Sequence, residues 1–171
     1  MNSTKVKKIH NSSDLYKLHQ IIEGIVGKRC WRVGFSYGGD LRLHLGAKIP
    51  YGNPKMAGQK KGEWRFATSG TTWELFTLRG LVNSKSGTEQ NLEKKAKVLE
   101  GSRVANIEVS VPSNILTFTF TNKCLFRVIP GAEDDKYDLP YWKLFMPDDM
   151  LVAFGPGKHW SCMPSDVPIS S

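Results

Sequence analysis

No run of the 171 residues approaches the ~20 consecutive apolar positions that a membrane-spanning helix requires, so no membrane role is expected. Cysteine is scarce. Cys30, Cys124 and Cys162 are odd in number and far apart, and form neither a CxxC pair nor a zinc-finger spacing. A disulfide scaffold is therefore excluded, and reduced thiols in a cytoplasmic protein are expected. The basic start, Met1 to Lys8, has no apolar segment behind it and does not read as a signal peptide. Catalytic signatures are lacking too: there is no GxSxG elbow, no HExxH and no GxxxxGK[ST] phosphate loop. Gly58-Gln59-Lys60-Lys61-Gly62 lacks the spacing that wraps backbone N–H groups around a phosphate. His10, His19, His44 and His159 are scattered, and His159 with Cys162 offers two ligands where a zinc site needs four. Glu133-Asp134-Asp135 with Asp138 departs from EF-hand spacing and reads as a solvated loop. No enzyme, cofactor or metal is expected.

What is present suffices for a folded core. Hydrophobic residues make up 40% of the chain and aromatics 11%, which argues against disorder. The length fits one domain or two intimately packed lobes. Charge is uneven: residues 1–100 carry 18 Lys+Arg and 8 Asp+Glu, and residues 101–171 carry 6 and 8, so balances of +10 and −2 make up the formal +8. The basic character belongs to the first part, which points to an anionic partner for it or to attraction between the halves.

Leu15, Leu18, Ile22 and Ile25 fall on one helical face, with Ser12 or Ser13 as the expected cap and Gly24 as the stop. The period then changes to two. Trp31, Val33, Phe35 and Tyr37 alternate as a half-buried strand, Gly38-Gly39-Asp40 turns, and Leu41, Leu43 and Leu45 form its partner. A long loop from Gly46 to Gly62 precedes strands carrying Trp64 and Phe66, then Trp73 and Leu75. The second half follows the same plan. Ser86-Gly87-Thr88-Glu89 reads as a capping box before a helix through Leu92, Ala96 and Leu99, closed by Gly101. Strands through Ile107, Val109 and Val111, then Leu116, Phe118 and Phe120, then Phe126 and Val128 follow. Trp142, Leu144 and Met146, and after Pro147-Asp148-Asp149 also Met150, Val152 and Phe154, complete it. Gly27-Lys28-Arg29 lies over Gly101-Ser102-Arg103, and Glu63-Trp64-Arg65-Phe66 over Tyr141-Trp142-Lys143-Leu144. The expected fold is therefore α+β, mainly antiparallel β: two diverged helix-plus-four-strand meander repeats, residues 1–85 and 86–171, packed as one compact domain.

With Trp31, Val33 and Phe35 inward, Arg32 faces out. By the same alternation Arg42, His44 and Arg65 face out beside it, and the loop adds Lys48, Lys55, Lys60 and Lys61 with Tyr51 among them. The matching face of the second half carries Glu108, Thr117 and Thr119. In general build the chain resembles bacterial immunity proteins and other small accessory proteins that act by binding one partner. The expectation is a stoichiometric module for an acidic protein partner, with Arg32, Arg42, His44, Lys48, Tyr51, Lys55, Lys60, Lys61 and Arg65 as the contact set. The alternative is nucleic-acid binding through the same face, with Tyr51 stacking on a base.

Overall fold

The computed structural model describes residues 6–36 and 39–166. Residues 1–5 of the basic start, and Tyr37 and Gly38 of the first expected hairpin, lie outside the described residues. The elements in chain order are β1 (Val6–Lys8), α1 (Ser12–Ile22), β2 (Cys30–Phe35), β3 (Leu41–Pro50), β4 (Lys60–Thr68), β5 (Thr72–Thr77), β6 (Gly80–Asn83), α2 (Glu89–Ala96), β7 (Val104–Ser110), β8 (Ile115–Phe120), β9 (Leu125–Ile129), β10 (Trp142–Met146), β11 (Met150–Phe154) and β12 (His159–Pro164). Seven strands form one antiparallel sheet in the order β1-β12-β11-β10-β4-β3-β2, and five form a second, β6-β5-β9-β8-β7.

Each sheet takes strands from both halves of the chain. A three-stranded meander, β2-β3-β4 or β7-β8-β9, is extended in each sheet by strands of the other half: β10 pairs with β4, and β5 with β9. Glu63–Phe66 and Tyr141–Leu144, aligned above as equivalents, are thus direct neighbours, with Phe66 opposite Leu144 in one sheet. The first turns of β2 and β7 meet. Gly27 N donates to Val104 O (2.7 Å) and Gly101 N to Cys30 O (2.7 Å), while Cys30 N donates to Ser102 O and Val104 N to Lys28 O.

The inward faces share one core. Phe66 of the seven-stranded sheet packs edge-on against Phe118 (ring centroids 5.0 Å) and Phe126 (5.9 Å) of the five-stranded one. Val33, Leu43, Trp64, Trp73, Val109, Phe118, Trp142 and Val152 are buried as alternation predicts. Phe35 is partly buried.

Trp31 breaks the pattern. A bulge between Cys30 and Arg32 leaves Cys30 opposite Leu45 and Arg32 opposite His44, so buried Cys30 takes the core position expected for Trp31. The indole instead lies beside the His44 ring, 5.3 Å between centroids.

Both helix starts also differ in detail. Asn11 caps α1, its side chain accepting from Asp14 N, and Thr88 caps α2, accepting from Asn91 N. The expected caps, Ser12 or Ser13 and Ser86, sit inside the helix or before it. Gly27 (φ +86°) and Gly101 (φ +91°), not Gly24, provide the left-handed turns that release the chain from each helical segment.

The Gly46–Gly62 segment is only partly a loop. β3 and β4 continue as a hairpin arm, with Ile49 opposite Lys61 and Pro50 opposite Lys60, past a register shift between Leu45 and Lys48. Its tip is a short 3-10 turn, Pro54–Met56.

Candidate functional site

The outward face of the seven-stranded sheet brings four cationic side chains to one place. Antiparallel pairing sets Arg32 opposite His44, His44 opposite Arg65, and Arg65 opposite Phe145. One step along, Arg42 and Lys143 both oppose Ala67, from either side. Strands lie ~4.8 Å apart, so a single methyl separates two long cationic side chains. The result is a pocket of about 270 Å³ over Ala67, walled by Arg42, His44, Tyr51, Arg65, Lys143 and Phe145.

Arg65 is the best-held member. Its guanidinium lies over the Phe145 ring, 4.5 Å from the centroid. Burial pulls its pKa below the ordinary value. The nearby Tyr51 hydroxyl acts the other way, as does Asp149. An arginine remains charged under such a shift.

His44 behaves differently. It is 9% exposed, and burial first, then Arg32, Arg65 and Arg42, push its pKa down to about 4. Gly62 N donates to its Nδ1 at 3.0 Å, so the neutral ring carries its hydrogen on Nε2. Only glycine permits that approach: a Cβ on residue 62 would lie 2.6 Å from both Leu45 N and Trp64 O. At neutral pH His44 is therefore an uncharged member of a cationic wall.

The pocket holds one carboxylate, and it is engaged. Asp40 Oδ1 accepts from Gly70 N (2.6 Å) and Thr68 Oγ1 (3.3 Å). Among the described residues the ion pairs within 4 Å are Lys28–Glu63 and Lys136–Glu133; Glu63 shares the outward phase of Arg65, two residues along β4, and its carboxylate is taken up by Lys28. Arg32, Arg42, Arg65 and Lys143 thus face one another without a salt-bridged carboxylate.

Of the expected contact set, Arg42, His44, Tyr51 and Arg65 line the pocket. Arg32 flanks it beside His44, and Lys61 reaches over the Tyr51 ring at 5.6 Å. Lys48 is drawn away over the Trp31 ring, 4.9 Å from its centroid. Lys55 sits exposed in the turn at the arm's tip and Lys60 is exposed on the arm; neither lines the pocket. Lys143, Phe145 and Ala67 were missed. Lys143 had a signal, since the match of Tyr141-Trp142-Lys143-Leu144 to Glu63-Trp64-Arg65-Phe66 gives it the same outward phase as Arg65.

The outer face of the five-stranded sheet carries charges of both signs. Glu108, Thr117, Arg127 and Glu74 form one row across it, so Arg127 joins the residues expected there. A larger depression of about 690 Å³ opens between the β5–β6 turn and α2, lined by Leu78, Leu81 and Val98 with Arg79, Lys94 and Lys95. Leu78 is 83% exposed and Leu81 54%, so that surface is open and apolar. The acidic cluster is tied up locally: Asp134 Oδ2 accepts from Gly131 N, and Asp135 accepts from the Tyr141 hydroxyl and Gly157 N.

No family model, no curated protein and no solved structure matches this chain.

Proposed function

We propose that this chain is a cytoplasmic binding module that acts by stoichiometric contact with an acidic protein partner, as an immunity or accessory protein does, rather than by catalysis. The contact surface is the outward face of the seven-stranded sheet around Arg42, Arg65 and Lys143. The observation that carries this reading is the gathering of cations over Ala67 with no salt-bridged carboxylate among the described residues. Like charges placed side by side repel and offer the isolated fold nothing. An anionic partner turns that cost into attraction and speeds encounter. The aromatic support of Arg65 by Phe145 suits a contact residue, because a guanidinium held in place loses little freedom on binding.

The same reading includes a duplicated ancestry for the two halves. Its support is the reciprocal bonding of Gly27 and Cys30 with Gly101 and Val104, and a bulge at the matching place in each meander, Cys30/Arg32 and Val104/Asn106. On that view the basic face is assembled from both copies, with Arg32, Arg42 and Arg65 from the first and Lys143 from the second.

The test is parallel affinity purification from native cells, with nuclease treatment, using wild type and the Arg42→Glu/Lys143→Glu double variant as baits. The proposal expects a protein retained in near-equimolar amount by wild type, released by salt and lost by the variant. A retained fraction that disappears with nuclease supports nucleic acid instead. Equal retention by both baits removes the basic face from the function.

A further inference from the structure

We propose that the pocket over Ala67 is a discrete seat for a dianionic phosphoryl group, walled by Arg42, Arg65 and Lys143. The inference rests on the basic face being the contact surface and names the chemistry at its deepest point. A flat cationic face would bind acidic surfaces diffusely. Here the strand register puts the smallest outward side chain, Ala67, between Arg42 and Lys143, and the long side chains of Arg65 and Phe145 close one end. A concave volume of about 270 Å³ with cations on three sides excludes some water from an anion and strengthens each charge-assisted bond.

Charge counting selects the dianion. Three lining cations oppose one lining carboxylate, Asp40, whose Oδ1 is already engaged by Gly70 N and Thr68 Oγ1. That leaves two positive charges uncompensated. Asp149 also acts on Arg65, but from an exposed position where solvent screens it. A single carboxylate would satisfy half of the excess.

The lining also offers donors of the kinds phosphate oxygens need. Arginine forks span two oxygens, lysine acts as a point charge, and the Tyr51 hydroxyl and the neutral His44 ring add donors that bring no charge. Arg65 is oriented before any ligand arrives by Phe145 beneath it and Tyr51 beside it.

The experiment uses the full chain at pH 7.5, titrated with inorganic phosphate, O-phosphoserine or acetate at constant ionic strength, while the His44 ring resonances, and the Ala67 methyl where it is present, are followed by NMR. Three proteins are compared: wild type, Ala67→Leu and Arg42→Gln/Lys143→Gln. Ala67→Leu fills the pocket and removes no charge, so it separates a shaped seat from a charged face. Wild type should show saturable shifts, with phosphate at least about tenfold tighter than acetate. Both variants should weaken phosphate by about tenfold or more. O-phosphoserine binding as well as phosphate points to a phosphorylated side chain of the partner, and much weaker binding points to free phosphate; both keep the seat. Non-saturating shifts, unchanged phosphate affinity in Ala67→Leu, or acetate binding as tightly as phosphate overturns it. Because Ala67→Leu keeps every cation, those failures leave the wider basic-face reading to its own charge-reversal test.

Discussion

His44 makes the structure's electrostatics measurable without knowing any partner. Its folded pKa of about 4 lies below the ordinary 6.5, because burial and three neighbouring arginines penalise the imidazolium. The unfolded chain therefore takes up the proton first as pH falls. His44 costs nothing above about pH 6.5, where it is neutral in both states, and stability is lost progressively as pH falls from there towards 4. At about 1.4 kcal/mol per pH unit the full interval is worth about 3 kcal/mol. The control is His44→Asn, whose side-chain oxygen replaces Nδ1 as acceptor for Gly62 N but does not titrate. Urea unfolding of both proteins between pH 4 and 7.5 should show wild type losing about 3 kcal/mol relative to the variant, while the carboxylates common to both cancel. NMR titration of the ring gives the folded pKa directly. A ring titrating at or above 6.5, or stability curves that run parallel, refutes the burial of His44 within a cationic wall.

Phe66→Ala should cost about 3–5 kcal/mol and lower the melting temperature by roughly 10 °C, because this 1%-exposed ring joins the two sheets. Circular dichroism melts check it, and a loss under 1 kcal/mol would mean the sheets do not share that core. Cys30, whose thiol burial pushes up to about 12, should resist alkylation at pH 8 until the chain is unfolded, as read by intact mass. Glu100→Ala should destabilise by about 1 kcal/mol in the same melts, since it removes the carboxylate that accepts from Val33 N at 3.0 Å on edge strand β2.

The parts of the fold legible in the sequence are those set by local period. Leu41, Leu43 and Leu45 alternate and are all fully buried, and the helices announce themselves through Leu18, Ile22, Leu92 and Ala96. A bulge inserts one residue without changing composition, so nothing in Trp31-Arg32-Val33 revealed that Cys30 would take the inward place. β12 was harder still. Trp160 and Ser161, adjacent in the strand, are both buried, which erases alternation. In the site, Arg42, His44 and Arg65 were legible because they share neighbouring strands close in sequence. The pocket was not, because it depends on β4 pairing with β10, a contact between residues nearly eighty apart. That same pairing makes Ala67, an unremarkable alanine in sequence, the floor of the site.

The central claim is that the outward basic face of the seven-stranded sheet is where this protein meets its partner. It is tested most directly by titration calorimetry of the purified complex at low and high salt, with wild type and Arg42→Glu/Lys143→Glu. Arg65 is left intact because its stacking on Phe145 is also structural. Wild-type affinity should fall steeply with salt, and the double reversal should weaken low-salt binding by at least about a hundredfold while the melting temperature moves by no more than a few degrees. Equal affinity of the two proteins at low salt would contradict the claim and leave the cations over Ala67 as a solvated surface.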